Sequence, residues 1–128
     1  MPGVKEILLT LSGPKKPLLI RLDRFKSPRT IEHLLRALPL RARGRSLPGN
    51  GSIYAAIGVN LKVGVEKRGD LALKRGELAY DPMQDALLLA VEDTTSPSQV
   101  NRLGNVENIE DLRPESLPNG LALLLKRA

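Results

Sequence analysis

The chain contains no cysteine, no tryptophan and only one histidine, His33. Without cysteine there can be no disulfide framework, thiolate metal site or cysteine nucleophile, and one histidine cannot build a usual zinc site. Apolar runs such as 86–91 and 121–125 fall far short of the ~18 residues that a membrane span needs. The first residues also lack the long apolar core of a secretion signal. We therefore expect a soluble, cytoplasmic protein that binds neither a metal nor a cofactor and does not engage a membrane.

Aromatic residues are nearly absent, with only Phe25, Tyr54 and Tyr80 in the 128-residue chain. The core must therefore be aliphatic, and few rings are available for stacking on bases or sugars. The lack of cysteine, together with only two glutamines, suits a thermophilic source.

The charges are unevenly distributed along the chain. Residues 15–45 carry ten Lys/Arg and two acids, net +8, whereas residues 81–128 carry four Lys/Arg and eight acids, net −4. The basic part either faces the acidic part and solvent, or forms a surface that binds anions.

Turn-forming residues are dense, with eleven glycines and ten prolines, and the apolar runs between them are short. This pattern favours many short strands over a few long helices. The predicted strands are residues 5–11, 18–22, 40–45, 51–59, 60–65, 71–74, 77–80, 86–91 and 120–126.

One segment has helical periodicity instead. Ser27 is a good N-cap, and Pro28 suits the first helical position because its missing N–H costs nothing there. Apolar residues then recur at helical spacing at 31, 34, 35 and 38, and Pro39 ends the helix. His33 falls on the opposite, exposed face. We predict a helix over about 28–38 that lies on the sheet, and a short helical turn near 109–113.

About eight short antiparallel strands and one helix indicate a single mainly β domain, residues 1–128, closed as a barrel or packed as a sandwich. The helix end Leu38-Pro39-Leu40 is followed by Gly51-Ser52-Ile53-Tyr54 and then by the segments 76–82, 86–91, 94–97 and 101–105. In order and spacing these resemble the small prokaryotic proteins of cyclophilin-like fold, most of them uncharacterised, over about residues 5–106. The resemblance implies a closed antiparallel eight-stranded barrel with one capping helix.

The chain departs from that family at positions that bear on a binding pocket. The family's bulky aromatic after Ala-Tyr is Asp81 here, and its phenylalanine after the strand tyrosine is Ala55. An aromatic-lined pocket, if relatives have one, is depleted in this chain. The fold itself implies little about activity, since one fold hosts many functions.

The first functional hypothesis is non-catalytic binding of a small ligand or peptide segment in a groove at the barrel rim. Two tyrosines on strands and a recognisable loop on a rigid barrel suggest where the groove lies. Its candidate residues are Tyr54, Tyr80, Met83, Gln84, Thr94, Thr95, Asn101 and Arg102.

The second hypothesis is a peptidyl-prolyl isomerase with a degenerate site. That chemistry needs a guanidinium near the prolyl nitrogen, a hydrogen-bonding side chain and an apolar aromatic pocket. Met83 and Gln84 resemble two residues of a cyclophilin groove only superficially. The carboxylates Asp81 and Asp85, four apart, either form an acid/base or cation-binding pair or belong to a solvated turn.

The third hypothesis is anion binding by Arg41, Arg43 and Arg45, which alternate on one strand face about 7 Å apart and which Lys15, Lys16 and Arg21 could adjoin. Such an arginine stripe suits phosphate, a nucleic-acid backbone or an acidic partner. Nucleic acid is disfavoured because aromatics are not interleaved and the net charge is modest. The apolar strand 121–125 could support a homodimer.

Overall fold

The computed structural model describes residues 7–128, which form ten strands, one α-helix and two single turns of 3₁₀-helix. The helix α1 is Pro28–Ala37, and the 3₁₀ turns are Ile109–Asp111 and Pro114–Ser116. The strands are β1 Ile7–Ser12, β2 Leu18–Leu22, β3 Leu40–Leu47, β4 Asn50–Ile57, β5 Ala72–Leu73, β6 Glu77–Asp81, β7 Ala86–Ala90, β8 Thr94–Thr95, β9 Asn101–Val106 and β10 Leu121–Arg127.

Eight of these strands close into an antiparallel barrel in the order β1-β10-β3-β4-β7-β6-β9-β2. Each barrel strand is paired with two neighbours, and β2 returns to β1 through the register Leu9↔Ile20. Closure satisfies the backbone groups that an open sheet would leave at its edges. The predicted mainly β, closed eight-stranded barrel with one helix is confirmed.

The barrel interior is filled by aliphatic side chains, as the low aromatic content predicts. Leu9, Ile20 and Leu103 are fully buried there. The remaining cavity is only about 40 Å³ and is lined by apolar side chains and Tyr54. One water molecule occupies about 30 Å³ of liquid, so this interior is a packed core rather than a ligand chamber.

A second apolar cluster lies apart from the main core and explains the continuous burial of β6 and β7. Every residue of these two strands is buried. Leu73 of β5 and Val100, both outside the barrel strands, pack with Ile53, Ala79 and Leu88. A strand that is covered on both faces has an unbroken apolar sequence, as residues 86–90 do.

Helix α1 joins the main core through Ile31 and Leu34, while His33 is exposed, as predicted. The helix ends at Ala37, one residue before the predicted end. Among residues 7–128, none of the helices has the length and hydrophobicity needed to cross a membrane.

The predicted strand over 60–65 is wrong. Val59, Leu61 and Val63 are buried and alternate with exposed residues, which imitates a half-buried strand. The backbone, however, has φ of +79° at Gly58, +64° at Asn60 and +54° at Lys62, so it pairs with no strand of the described chain. We call residues 58–71 the strap, because this segment runs between β4 and β5 without joining the barrel.

The eighth barrel strand is instead β9, a segment interpreted from the sequence as a loop. Its polar and glycine residues, such as Asn101, Gly104 and Asn105, dilute the strand pattern. The predicted strand over 71–74 is reduced to β5, which pairs with β8 outside the barrel. The predicted first strand began at Lys5, and residues 5 and 6 lie outside the described residues.

Candidate functional site

The side chains of the two tyrosines of the predicted groove are buried and bind other groups of the protein. Tyr54 is 5% exposed, and its hydroxyl donates to the carbonyl oxygen of Pro118 at 2.8 Å. Its ring lies against Gly44, where any Cβ would overlap it. Burial raises the pKa of Tyr54 above its usual value. The tyrosine thus fills the barrel and holds the loop before β10.

Tyr80 is fully buried and donates its hydroxyl proton to Asp85 Oδ1 at 2.5 Å. Burial, reinforced by the neighbouring carboxylate of Asp85, raises the pKa of Tyr80 to about 12. Neither tyrosine hydroxyl is left to line a groove.

Asp85 anchors the strap. Its carboxylate accepts hydrogen bonds from the backbone N–H groups of Asn60 (2.7 Å), Leu61 (3.0 Å) and Lys62 (3.3 Å). Its carbonyl oxygen accepts two more, from residues 58 and 59 at 2.9 and 3.1 Å. The positive φ angles at alternate positions turn these successive amides toward one anion, an arrangement known as a nest. The anion in this nest is the protein's own side chain.

Asp81, Met83 and Gln84 form a self-contained turn. Asp81 is fully buried and accepts from the Met83 N–H at 2.9 Å, from Gln84 Nε2 at 3.0 Å and from the Ser98 hydroxyl at 3.0 Å. Met83 projects into solvent, 85% exposed. Asp81 and Asp85 therefore bind different partners, and among residues 7–128 no group of three or more His, Cys, Asp or Glu is placed to hold a metal.

The remaining predicted groove residues lie in different places. Thr94 accepts from Asn50 Nδ2 at 3.0 Å, and Thr95 is exposed. Asn101 is 1% exposed and ties the strap to the helix, donating to the Thr30 hydroxyl (2.8 Å) and the Gly64 carbonyl (2.9 Å). The contacts of these candidates within residues 7–128 lie at separate places, and Arg102 lines a polar cleft.

The helix N-terminus is capped from the strap rather than by Ser27. Glu66 accepts from the backbone N–H groups of Arg29 (3.0 Å) and Thr30 (2.7 Å) and from the Thr30 hydroxyl (2.5 Å). Burial works to raise the pKa of Glu66, but the hydrogen bonds from Thr30 and Arg29 outweigh it and lower the pKa. Ser27 occupies the N-cap position without a capping hydrogen bond.

This arrangement leaves Ser27 in an unusual state. The residue is 1% exposed, yet its hydroxyl makes no hydrogen bond with any residue in 7–128. No fully enclosed side-chain polar atom of the described chain is unpaired, so the hydroxyl must open to solvent. Ser27 lines a cleft on this side of the molecule.

We call this the basic cleft. Its volume is about 190 Å³. Three chain segments converge there: the residues before α1, the end of the strap, and the start of β9 with the residue preceding it. Its lining residues are Lys26, Ser27, Lys67, Arg68, Gly69, Asp70, Val100 and Arg102.

Three of the four cationic side chains in the basic cleft form no ion pair with an acid of residues 7–128, and the fourth does. Lys26, Lys67 and Arg68 are exposed and form no ion pair with an acid of residues 7–128. Arg102 pairs with the buried Glu77 at 2.6 Å and also donates to two carbonyl oxygens of residues 70 and 72. The one acid in the lining, Asp70, accepts from the Ala72 N–H at 2.9 Å. The cleft is therefore strongly positive.

The rim of the basic cleft is fixed by the protein before any ligand arrives. Gln99 clamps Gly69 by accepting from its N–H at 3.0 Å and donating to its carbonyl oxygen at 3.2 Å. Arg102 holds the next residue, Asp70, through its carbonyl oxygen at 2.5 Å. A preorganised rim lowers the entropic cost of binding.

Most of this cleft is not evident from the sequence. The sequence indicates a basic region that includes Lys26 and a helix cap at Ser27, and it assigns no function to Lys67 or Arg68. The available signal was a Lys-Arg-Gly-Asp turn at 67–70 directly after a run of alternate burial. That signal does not reveal which distant segment the turn faces.

The arginine stripe is present as predicted on one face of β3. Arg41, Arg43 and Arg45 are exposed and alternate with less exposed residues. Arg43 donates to the Gly120 carbonyl oxygen at 2.9 Å. Two of the expected neighbours are engaged elsewhere, since Arg21 pairs with Glu107 and Lys16 with Asp111.

A solved structure has a similar fold. The fold matches the solution structure of a hypothetical protein from Archaeoglobus fulgidus with a TM-score of 0.77 and 20% sequence identity, over 98% of this chain and 99% of the other. No protein-family profile and no curated protein sequence matches the chain. At that identity the likeness establishes a shared fold alone, that of a small archaeal protein described as hypothetical.

Proposed function

We propose that this protein is a non-catalytic binding domain whose ligand is a small anion held in the basic cleft. One observation carries the proposal: Ser27, whose hydroxyl has no hydrogen-bond partner among residues 7–128, lines a cleft together with four cationic side chains. A serine hydroxyl that no protein group engages can donate a hydrogen bond to a bound anion.

The chemistry of the lining favours a phosphate-like group. Lys26, Lys67 and Arg68 supply ammonium and guanidinium donors free of acidic partners within residues 7–128. Charge-assisted hydrogen bonds from such groups to phosphate are among the stronger ones in proteins. The cleft's 190 Å³ is below the ~300–1,000 Å³ of pockets that enclose drug-sized ligands, so one small anionic group fits it best.

The test is a calorimetric titration of the purified protein with inorganic phosphate at low salt. We expect saturable binding that weakens as salt is added, since exposed charges are screened. Lys67→Ala combined with Arg68→Ala is expected to weaken binding at least tenfold, because each lost charge-assisted bond is worth about 1.5–3 kcal/mol.

The matched control is the triple variant Arg41→Ala, Arg43→Ala, Arg45→Ala, which removes exposed positive charge elsewhere. It should bind phosphate within about twofold of the wild type. The stripe is the second candidate anion site, favoured by three exposed guanidinium side chains on one strand face. If phosphate binding is lost in the triple variant and kept in the Lys67/Arg68 variant, the stripe is the site and the basic cleft is not.

We also propose that the barrel is of the cyclophilin-like type and has no prolyl isomerase activity. Isomerisation needs an enclosed apolar aromatic pocket beside a guanidinium. Tyr54 and Tyr80 are packed in the core, at 5% and 0% exposure, and Phe25, at 82% exposure, is not enclosed. In a proline-peptide assay we expect rates equal to the uncatalysed ones. An acceleration that disappears on Arg41→Ala or Arg43→Ala would refute this view.

A further inference from the structure

We infer that the anion in the basic cleft is the phosphate of a nucleoside monophosphate, whose base stacks on Phe25. The inference rests on the proposed function and names the ligand class of the same site. It is carried by a second feature beside the cleft, an aromatic ring held in solvent next to a cleft residue.

Phe25 is the only phenylalanine of the chain and is 82% exposed. Tyr54 and Tyr80 are both buried, so Phe25 presents the one accessible aromatic face among residues 7–128. A ring of this size would gain stability from burial, and leaving it in water forgoes that gain. The fold does not use the ring as core, which leaves it available for a ligand.

The loop that carries Phe25 is fixed rather than free. Asp23 donates its N–H to the Leu103 carbonyl oxygen of β9 at 2.8 Å. Its carboxylate accepts from the Phe25 N–H at 3.0 Å, and its carbonyl oxygen accepts from the Lys26 N–H at 3.2 Å. This Asx turn sets the backbone that presents the ring, which reduces the entropy lost when a ligand stacks on it.

Phe25 directly precedes Lys26, a residue that lines the basic cleft. Successive Cα atoms are about 3.8 Å apart, so the residue that carries the ring lies beside the edge of the cleft. Arg24 and Lys26 flank the ring with positive charge. An aromatic face beside a cationic phosphate site is the combination by which proteins bind nucleotides without reading the base.

A single nucleotide fits better than a strand of nucleic acid. The cleft has room for about one phosphate group, and the other two aromatic rings are buried, so successive bases would find no further platform among the described residues. Sequence-tolerant binding of single strands requires several such platforms along a basic groove.

The test is calorimetric titration of the full chain with AMP, ribose 5-phosphate and inorganic phosphate. AMP should bind at least fivefold more tightly than ribose 5-phosphate. Phe25→Ala should weaken AMP binding by about 5- to 100-fold, the range measured for loss of one stacked base, while leaving ribose 5-phosphate and phosphate within twofold. Phe25→Tyr, which keeps a stacking face, should retain AMP affinity.

The outcomes separate this inference from the proposed function. If inorganic phosphate and ribose 5-phosphate bind but AMP binds no more tightly than ribose 5-phosphate, the stacking inference is overturned and the anion site stands. Equal losses for AMP and phosphate on Phe25→Ala would also overturn it. If none of the three ligands binds, the proposed function itself fails.

Discussion

Gly104→Ala is expected to lower the free energy of unfolding by about 3–5 kcal/mol. This loss is large for a substitution that adds a single methyl group. Gly104 pairs with Leu22 where β9 meets β2. A Cβ at position 104 would overlap the carbonyl oxygen of Arg21 and lie 2.9 Å from the Leu22 Cα. Both obstacles are backbone atoms, so the clash is relieved only by moving the strands apart.

The consequence reaches the whole barrel because β9 is the strand that joins β6 to β2. Separation there would open the closed sheet and expose two edges. Gly51→Ala is the matched control, since Gly51 also lies in a barrel strand but has no described atom within 4 Å of an added Cβ. It should change stability by no more than about 0.5 kcal/mol.

Chemical denaturation of wild type and both variants, followed by circular dichroism, would measure these changes. A Gly104→Ala protein that unfolds at the wild-type denaturant concentration would contradict the close packing of β9 on β2. If Gly104→Ala does not accumulate in folded form while Gly51→Ala does, that difference is the expected result in its strongest form.

Asp85→Ala is expected to destabilise the protein by about 3 kcal/mol or more. The substitution removes the carboxylate that accepts from the backbone N–H groups of residues 60 and 61 and from the Tyr80 hydroxyl, and it leaves the Lys62 N–H with the Tyr80 hydroxyl oxygen as its acceptor. Each buried donor left unpaired costs about 1–3 kcal/mol. Alanine must also adopt the φ of +52° found at Asp85, which is unfavourable for it.

Because Asp85 anchors the strap, removing its carboxylate should also weaken the structure of the basic cleft. Hydrogen exchange at the amides of 58–62 should accelerate more than exchange in the barrel strands. Phosphate binding should weaken as well, since Lys67 and Arg68 lie on the strap. Asp85→Asn keeps an acceptor oxygen and tolerates positive φ, so it should lose less stability than Asp85→Ala. Equal stability of the alanine variant and the wild type would rule out this anchor.

The same cluster predicts how stability depends on pH. Burial acts to raise the pKa of Asp85, but the hydrogen bonds from Tyr80 and from the amides of Asn60, Lys62 and Leu61 lower it overall. Asp85 therefore contributes fully to the free energy of unfolding above its unfolded-state pKa, which is near 4. This contribution is lost as the pH falls through the lower pKa of the folded state.

Tyr80 acts at the opposite end of the pH range. Its folded-state pKa of about 12 lies above the usual value of 10, so its contribution is present below pH 10 and is lost as the pH rises toward 12. Denaturant midpoints measured across pH should fall at both ends. Tyr80→Phe should flatten the alkaline fall.

Much of the architecture follows from the sequence alone. Short apolar runs separated by glycine and proline indicate a mainly β fold, and the apolar spacing at 31, 34 and 35 locates α1. Alternation over 40–45 predicts β3 and the outward face of its three arginines. These features are determined locally, because a side chain's position within a helix or strand follows from the period of that element.

Tertiary structure alone decided which segment became a barrel strand. Residues 59–64 of the strap alternate between buried and exposed as a half-buried strand would, whereas glycine and asparagine interrupt that pattern in β9, and yet β9 is the barrel strand. The hydrogen-bond partner of each backbone amide differs: β9 pairs with β2 and β6, whereas the strap amides bind Asp85, about 25 residues away along the chain.

The candidate site depends on the fold in the same way. Ser27 has the sequence features of a helix cap, but Glu66, 36 residues from Thr30 along the chain, caps the helix instead, and Ser27 lines a cleft. Lys26, Lys67 and Arg102 meet only because the barrel, the helix and the strap bring three distant segments together. Local sequence sets which side chains are charged or buried, whereas closure of the barrel sets which of them meet.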